Sequence, residues 1–212
     1  MEAWSREQLD AALLSRHGAA AQARFAGACV GIAGLGGLGS HIAVHLARLG
    51  VGRLILADFD RVDLTNLNRQ HYFLPHVGQY KTQALAGQLR EINPYLDYET
   101  HTVRVTEENA CEIFAPCGVV CEAFDRPEEK AMFTQAVLTG LPGVPLVAAS
   151  GMGGSGSANK IATARPMANL YLCGDGESGI ETGAGLMSPR VGVCAAHQAV
   201  MVMRLLLGER EP

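Results

Sequence analysis

Residues 34–40 read GLGGLGS and follow directly on the apolar run Cys29-Val30-Gly31-Ile32-Ala33. An apolar run entering a glycine-rich turn predicts a strand that ends where a helix begins. Gly34, Gly36 and Gly39 satisfy the spacing G-x-G-x-x-G, the fingerprint of a dinucleotide site. Glycines accept positive φ, let phosphate oxygens approach the backbone, and let the helix pack closely on the strand. The helix predicted from Ser40 would turn its free N–H groups and positive dipole end toward an anion. Gly34, Gly36, Gly37, Gly39 and Ser40 are therefore candidates for holding a nucleotide. Asp58 ends a second predicted strand, RLILAD at 53–58, where an acid can bond ribose hydroxyls. Together these features point to a nucleotide. They do not point to nicotinamide, because no acid or base stands out beside a hydride acceptor.

Outward from this turn, Ser5 and Gln8 form a capping-box pair that opens a helix over about 5–16. The segment 59–80 reads as a polar loop. A helix is expected over KTQALAGQLREIN, stopped by Pro94. A strand near 95–104, a helix near 107–115 opened by Thr106, a buried strand at 118–123, a helix over about 128–139 and a buried strand at 144–150 follow. Alternating strands and helices imply parallel βαβ units. After Ser150 the pattern changes: GMGGSGS reads as a turn, while NKIATAR and NLYLC are spaced to pair as antiparallel strands. A second glycine-rich loop, GDGESGIETGAG, precedes a last helix over about 190–207. The expected fold is α/β and Rossmann-like, a parallel sheet continued by antiparallel strands in the C-terminal part. We expect one domain over 1–212, with a nucleotide-binding part at about 28–150 and a C-terminal part at about 151–212.

Composition narrows the function classes. The 212 residues are 48% hydrophobic and carry a formal charge of −4, which argues against a basic nucleic-acid-binding stripe. There is no apolar run of membrane-spanning length, and the charged N-terminus lacks the apolar segment of a secretory signal. The six cysteines include no C-x-x-C pair, so a reduced, cytoplasmic setting is expected.

The stretch DFDRVDLTNLNRQHYF at 58–73 supplies the second half of a site. It places Asp58, Asp60, Asn66, Asn68, Arg69 and Gln70 in the loop leaving the carboxyl end of the second strand, where open α/β sheets bind ligands. Lys81 opens the next helix. An Arg and a Lys converging on a nucleotide suit a polyphosphate about to react; taken alone, Lys81 reads as an ordinary solvated charge. Asp125 ends a buried strand within CEAFDRPEEK, where a carboxylate can hold Mg²⁺ against phosphates. Asp125 followed by Pro127 and Glu128 is equally a helix-capping signal. Both readings are open on local sequence.

GLGGLGS, DFDRVDLTNLNRQ, VGQYK, EAFD and the terminal GLMSPRVGVCAAHQAVMVMRLLLG resemble the ThiF/MoeB superfamily of ubiquitin-activating-enzyme-like adenylyltransferases. The resemblance covers about residues 16–208 and is nearest a short ThiF subgroup of thiamine biosynthesis. It implies ATP-dependent adenylation of the C-terminal glycine of a small ubiquitin-like sulfur-carrier protein ending in Gly-Gly. By that resemblance Asp58 holds the ATP ribose, Asn66, Arg69 and Lys81 bind the phosphates, and Asp125 binds Mg²⁺. Arg16 corresponds to an arginine contributed across a homodimer. A sulfur donor protein is the further partner implied.

The chain departs from larger relatives in lacking the paired C-x-x-C motifs that hold structural zinc, so no zinc of that kind is expected. Cys173 is the one candidate for a sulfur-handling thiol, against its plainer reading as a small core residue. His41, His45 and His71 do not make a metal spacing. Three other functions remain to be separated: adenylation of another carboxylate or a tRNA, an NAD-dependent oxidoreductase, and a nucleotide-binding partner without turnover.

Overall fold

The computed structural model describes residues 4–179 and 185–212. Its strands are β1 (Cys29–Ala33), β2 (Arg53–Ala57), β3 (Asp97–His101), β4 (Val119–Glu122), β5 (Leu146–Ala149), β6 (Ala162–Met167) and β7 (Leu170–Gly174). Its helices are α1 (Arg6–His17), α2 (Ala19–Ala26), α3 (Gly37–Leu49), α4 (Lys81–Ile92), α5 (Glu107–Phe114), α6 (Pro127–Gly140) and α7 (Ser188–Leu206). The strands form a seven-stranded sheet in the order β3-β2-β1-β4-β5-β7-β6. All neighbours are parallel except β6 and β7, which pair antiparallel with Thr163 opposite Cys173. The expected antiparallel pair is present, but β7 itself joins β5 in parallel, so only the outermost strand runs against the rest.

Helices cover both faces, which is why the central strands read as unbroken apolar runs. One face packs Leu38, Ile42 and Leu46 of α3, Leu85 and Leu89 of α4, and Val191, Met201 and Val202 of α7. The other packs Ile113 and Phe114 of α5 against Phe133 and Val137 of α6. Gly31, in mid-strand, has its own packing reason: a Cβ there would run into the ring of Phe114.

Three local expectations change. Helix α3 begins at Gly37 rather than Ser40, because Gly36 serves as N-cap and the Ser40 N–H is already bonded to the Gly36 carbonyl. Helix α2, unassigned by sequence, is an alanine-rich helix of 8 residues, about two turns, set off from α1 by Gly18 at φ +77°. The 59–80 segment contains short 3₁₀ turns at Leu64–Asn68 and Leu74–His76 and a bridge between Arg61 and Tyr80. The capping box at Ser5 and Gln8 forms as predicted. The glycine-rich stretch expected over 174–185 is described to Gly179 and again at Gly185; residues 180–184 lie outside the described residues. Among the described residues, no helix is long and apolar enough to cross a membrane.

Candidate active site

The sheet order reverses at β1. The chain leaves β1 toward β2 and β3, then returns to β4 on the other side. The connections diverge between the carboxyl ends of β1 and β4, which is where ligands bind in such sheets. A cavity of about 690 Å³ opens there, a volume suited to a nucleotide-sized ligand. Gly34, Gly36, Gly37, Asp58, Asp60, Arg69, Lys81 and Asp125 all line it. Thus residues from the ends of β1, β2 and β4, far apart in sequence, are brought to one place.

The glycines divide by task. Gly34 sits at φ +87°, and a Cβ on it would stand 2.8 Å from the Ala123 carbonyl oxygen. A Cβ on Gly39 would overlap the Gly34 carbonyl, and one on Gly37 would lie 2.9 Å from Val191 Cγ1. These three let the loop fold against its neighbours. Gly36 is different: its hypothetical Cβ meets nothing nearer than Gln70 Nε2, 3.7 Å away. Helix α3 has no side-chain cap, so its first-turn N–H groups are unspent beside the cavity. Gly39 and Ser40 do not line the cavity. Ser40 instead ties two loops together, its hydroxyl donating to the Gly36 carbonyl (2.7 Å) and accepting the His71 N–H (3.0 Å).

Asp58 is buried and accepts the N–H groups of Leu35 and Asp60, each at 2.7 Å. Burial pushes its carboxyl above the usual range, opposed by Lys81 and those two N–H groups. Lys81 Nζ lies 2.9 Å from Asp60 Oδ2 and 4.0 Å from Asp58 Oδ2. It is 6% exposed, so it is not a solvated surface charge. Arg69 is half-buried; its guanidinium donates to Asn68 Oδ1 (2.8 Å) and its carbonyl meets His41 Nε2 at 3.2 Å. Asn66 does not line the cavity. Its Oδ1 accepts the Asp63 N–H, and its carbonyl accepts the N–H groups of Arg69 and Gln70 at 3.1 and 2.9 Å. Asn66 therefore builds the turn that carries Arg69.

Asp125 had two readings in the sequence, and the structure removes one of them, the helix cap. The N-cap of α6 is Arg126, and no side chain caps that helix. The Asp125 carboxylate makes no hydrogen bond and is exposed to the cavity. One free carboxylate is the protein share expected where Mg²⁺ is held mainly by substrate phosphates. Among the described residues there is no group of three or more His, Cys, Asp or Glu side chains that could hold a metal by themselves.

Other features escaped the sequence reading. Glu122, fully buried at the end of β4, accepts two bonds from Lys130 (2.9 and 2.8 Å) and the Phe124 N–H (2.7 Å). Burial raises its carboxyl above the usual range, and Lys130 opposes this. A charge closing an otherwise apolar run, GVVCE, was the available signal. Arg190 of α7 pairs with buried Asp175, beside Ser178 and the Ser157 carbonyl. This pair shapes the far wall of the cavity, where Ser150, Gly151 and Ser178 stand. Cys173 is fully buried, against Thr163, and burial pushes its thiol up to about 11. None of the six cysteines lines the cavity. Arg16 is exposed near the end of α1 and lies outside the cavity of its own chain.

Residues 8–212 match the family described as ThiF family. The chain is 31% identical over 211 residues to the adenylyltransferase and sulfurtransferase MOCS3 of Anopheles gambiae, covering 92% of this chain and 45% of that protein. It is 37% identical over 145 residues to a sulfur carrier protein adenylyltransferase of Thermus thermophilus, covering 66% of this chain and 54% of that protein. The chain thus spans about half the length of these relatives. Among solved structures, the E. coli tRNA N6-threonylcarbamoyladenosine dehydratase TcdA in complex with ATP superposes with a TM-score of 0.86 at 22% identity, covering 98% of each chain.

Proposed function

This chain belongs to the ThiF family, and from that premise we propose that it is an ATP-dependent adenylyltransferase acting on a ubiquitin-like sulfur carrier. The acceptor would be the carrier's C-terminal glycine carboxylate. The observation that carries the reading is the cavity itself: an uncapped helix N-terminus, two cations and an unspent Asp125 carboxylate face one space.

The chemistry asks for little else. A terminal carboxylate has an unperturbed pKa of about 3.5, so it is already a nucleophile near neutral pH. Its oxygen attacks the α-phosphorus of ATP, the bond to the β-phosphate oxygen breaks, and pyrophosphate leaves with the electron pair. The obstacle is bringing two anions together, which positioning and charge neutralisation overcome. The backbone of the glycine loop and the first turn of α3 bind the phosphates, Arg69 and Lys81 neutralise them, and Asp58 orients the ribose. Asn66 serves through the turn that presents Arg69. Asp125 would hold Mg²⁺, which when bound supplies further neutralisation of the phosphate charge.

The motif resemblance supports thiamine thiazole biosynthesis as the pathway, and the net charge of −4 favours a protein acceptor over tRNA. We further propose that the chain acts as one unit and pairs as a homodimer through α1 and α7, with Arg16 entering the partner's site. An apolar groove lined by Leu49, Ala199, Val200 and Met203 beside His17 supports that surface. Trapping tests the reaction: with ATP and Mg²⁺, hydroxylamine should convert the carrier's terminal carboxylate to a hydroxamate, detected by intact mass. A carrier that stays unmodified while another carboxylate or a tRNA is activated would move the substrate elsewhere.

A further inference from the structure

Glu122 closes the apolar run of β4 and is 1% exposed, in a place where an uncharged pair of similar size often serves stability as well. Its counterion, Lys130, stands one turn inside α6, where a cation also opposes the helix dipole. Glu122 does not line the cavity. Lys130 does, but its ammonium is already spent on protein: both Glu122 oxygens and the Phe124 carbonyl (3.2 Å). The pair is therefore not placed to hold a ligand itself.

What it holds is the backbone on each side of Asp125. Glu122 Oε1 accepts the Phe124 N–H and Lys130 Nζ donates to the Phe124 carbonyl, so both polar groups of the preceding residue are taken by the pair. The Lys130 N–H donates to the Arg126 carbonyl (3.0 Å), which ties down the following residue. Glu122 is anchored in turn, its carbonyl accepting Gln198 Nε2 of α7 (3.0 Å). Between them, the Ala123 N–H donates to the Ala33 carbonyl (2.8 Å), at the edge of the glycine loop. The Asp125 carboxylate makes no hydrogen bond of its own, so this bracketed backbone sets its direction into the cavity.

We propose that Glu122 and Lys130 are positioning residues, a buried pair that brackets the Phe124–Arg126 turn and aims the Asp125 carboxylate at the nucleotide's divalent cation. This deepens the adenylyltransferase reading and rests on it, and on the metal role it gives Asp125. A lone carboxylate meeting a cation held mainly by phosphates has no second protein ligand to correct its angle. The bonds behind it then govern how well it reaches the ion, and losing such supporting partners typically weakens metal affinity about 10–100-fold.

The test measures ATP affinity of the full chain by calorimetry, once with Mg²⁺ and once with a chelator, alongside melting curves without nucleotide. In the double variant Glu122→Leu, Lys130→Met, apolar side chains of similar size replace the ion pair, a change that often leaves stability level or higher. This variant should melt near wild type and lose about 10-fold of the affinity that Mg²⁺ adds, with binding in chelator unchanged. Adding Asp125→Asn to it should cost nothing further, because the pair acts through that carboxylate. If the double variant does not fold, Glu122→Gln, which keeps the shape but not the charge, carries the same expectation in smaller degree. A folded variant of either kind that keeps the whole Mg²⁺ gain overturns the inference. So does an equal loss with metal and with chelator, which would make the pair structural, and so do losses that multiply when Asp125→Asn is added. If the wild type binds ATP with no gain from Mg²⁺, the metal role of Asp125 falls and this inference with it, while the adenylyltransferase reading stands. If the wild type does not bind ATP at all, that reading falls first.

Discussion

Lys81 holds its ammonium between the buried Asp58 and the half-exposed Asp60, and that burial fixes what its removal does. Asp58 already titrates above the usual carboxylate range because of burial, with Lys81 opposing the shift. Lys81→Ala should therefore raise it further. The sign follows from linkage: a carboxyl whose folded pKa is raised destabilises the fold when ionised, and ceases to do so below its unfolded pKa of about 3.9. The loss of stability in Lys81→Ala should then grow as pH rises through the folded pKa of Asp58 and shrink in acid, as melting curves across pH would show. A pH-independent loss would mean that Lys81 does not compensate Asp58. Arg69 has no buried counterion, so Arg69→Ala should lower the rate of adenylation with little change in melting temperature. Asp125→Asn should leave the fold intact, since the carboxylate caps nothing, and cut pyrophosphate exchange by about 10²-fold. Normal exchange in that variant would remove Asp125 from the chemistry. Sequence named Asp125 and Lys81 but not their state. Whether a carboxylate is spent on a cap, or a lysine is buried, depends on the neighbouring chain, which local spacing does not report.

The glycine loop and α3 form the element in which fold and ligand binding can be told apart. Gly39 has no room for a methyl group against the Gly34 carbonyl, so Gly39→Ala should destabilise by about 1–3 kcal/mol, the usual cost of overpacking. Gly36 has room, at a φ of −78°, so Gly36→Ala should leave the melting temperature near wild type and weaken ATP binding by standing where phosphate would lie. Equal losses of stability in the two variants would contradict this division. The strand–turn–helix unit was legible because glycine spacing and apolar periodicity agree. The start of α3 was misjudged because Gly36 caps through its backbone and carries no side-chain signal. Across the cavity, the Ser178 hydroxyl, the Ser178 and Glu177 N–H groups and Arg190 together outweigh burial to hold Asp175 at about 2. Its stabilising effect is thus complete above its unfolded pKa near 3.9 and fades as pH falls toward 2, so acid unfolding in that interval should flatten in Asp175→Asn. Neither partner of this pair was singled out from sequence, because their contact spans 15 positions and two elements.

At the scale of the whole molecule, the sheet order places the ends of β1, β2 and β4 around one cavity, and no cysteine reaches it. Alternation of strands and helices made the parallel part of the sheet readable. The return of β7 in parallel beside β5 was not, because strand direction depends on the route of the connecting chain rather than on strand composition. The buried state of Cys173 bears on the division of labour. A chain with no thiol at the site would make the acyl-adenylate and leave sulfur delivery to an external persulfide, so Cys173→Ser should retain thiocarboxylate formation when a sulfur donor enzyme is supplied. Loss of that product with adenylation intact would make the cysteine a relay. The central claim, activation of a carrier's terminal carboxylate by ATP, is met most directly by ATP–pyrophosphate exchange with a Gly-Gly-ended carrier and with the same carrier lacking its last glycine. Exchange that requires the intact carrier and is lost in Asp125→Asn is the predicted result. Exchange that ignores the carrier, or none with any carrier while ATP still binds, would contradict it.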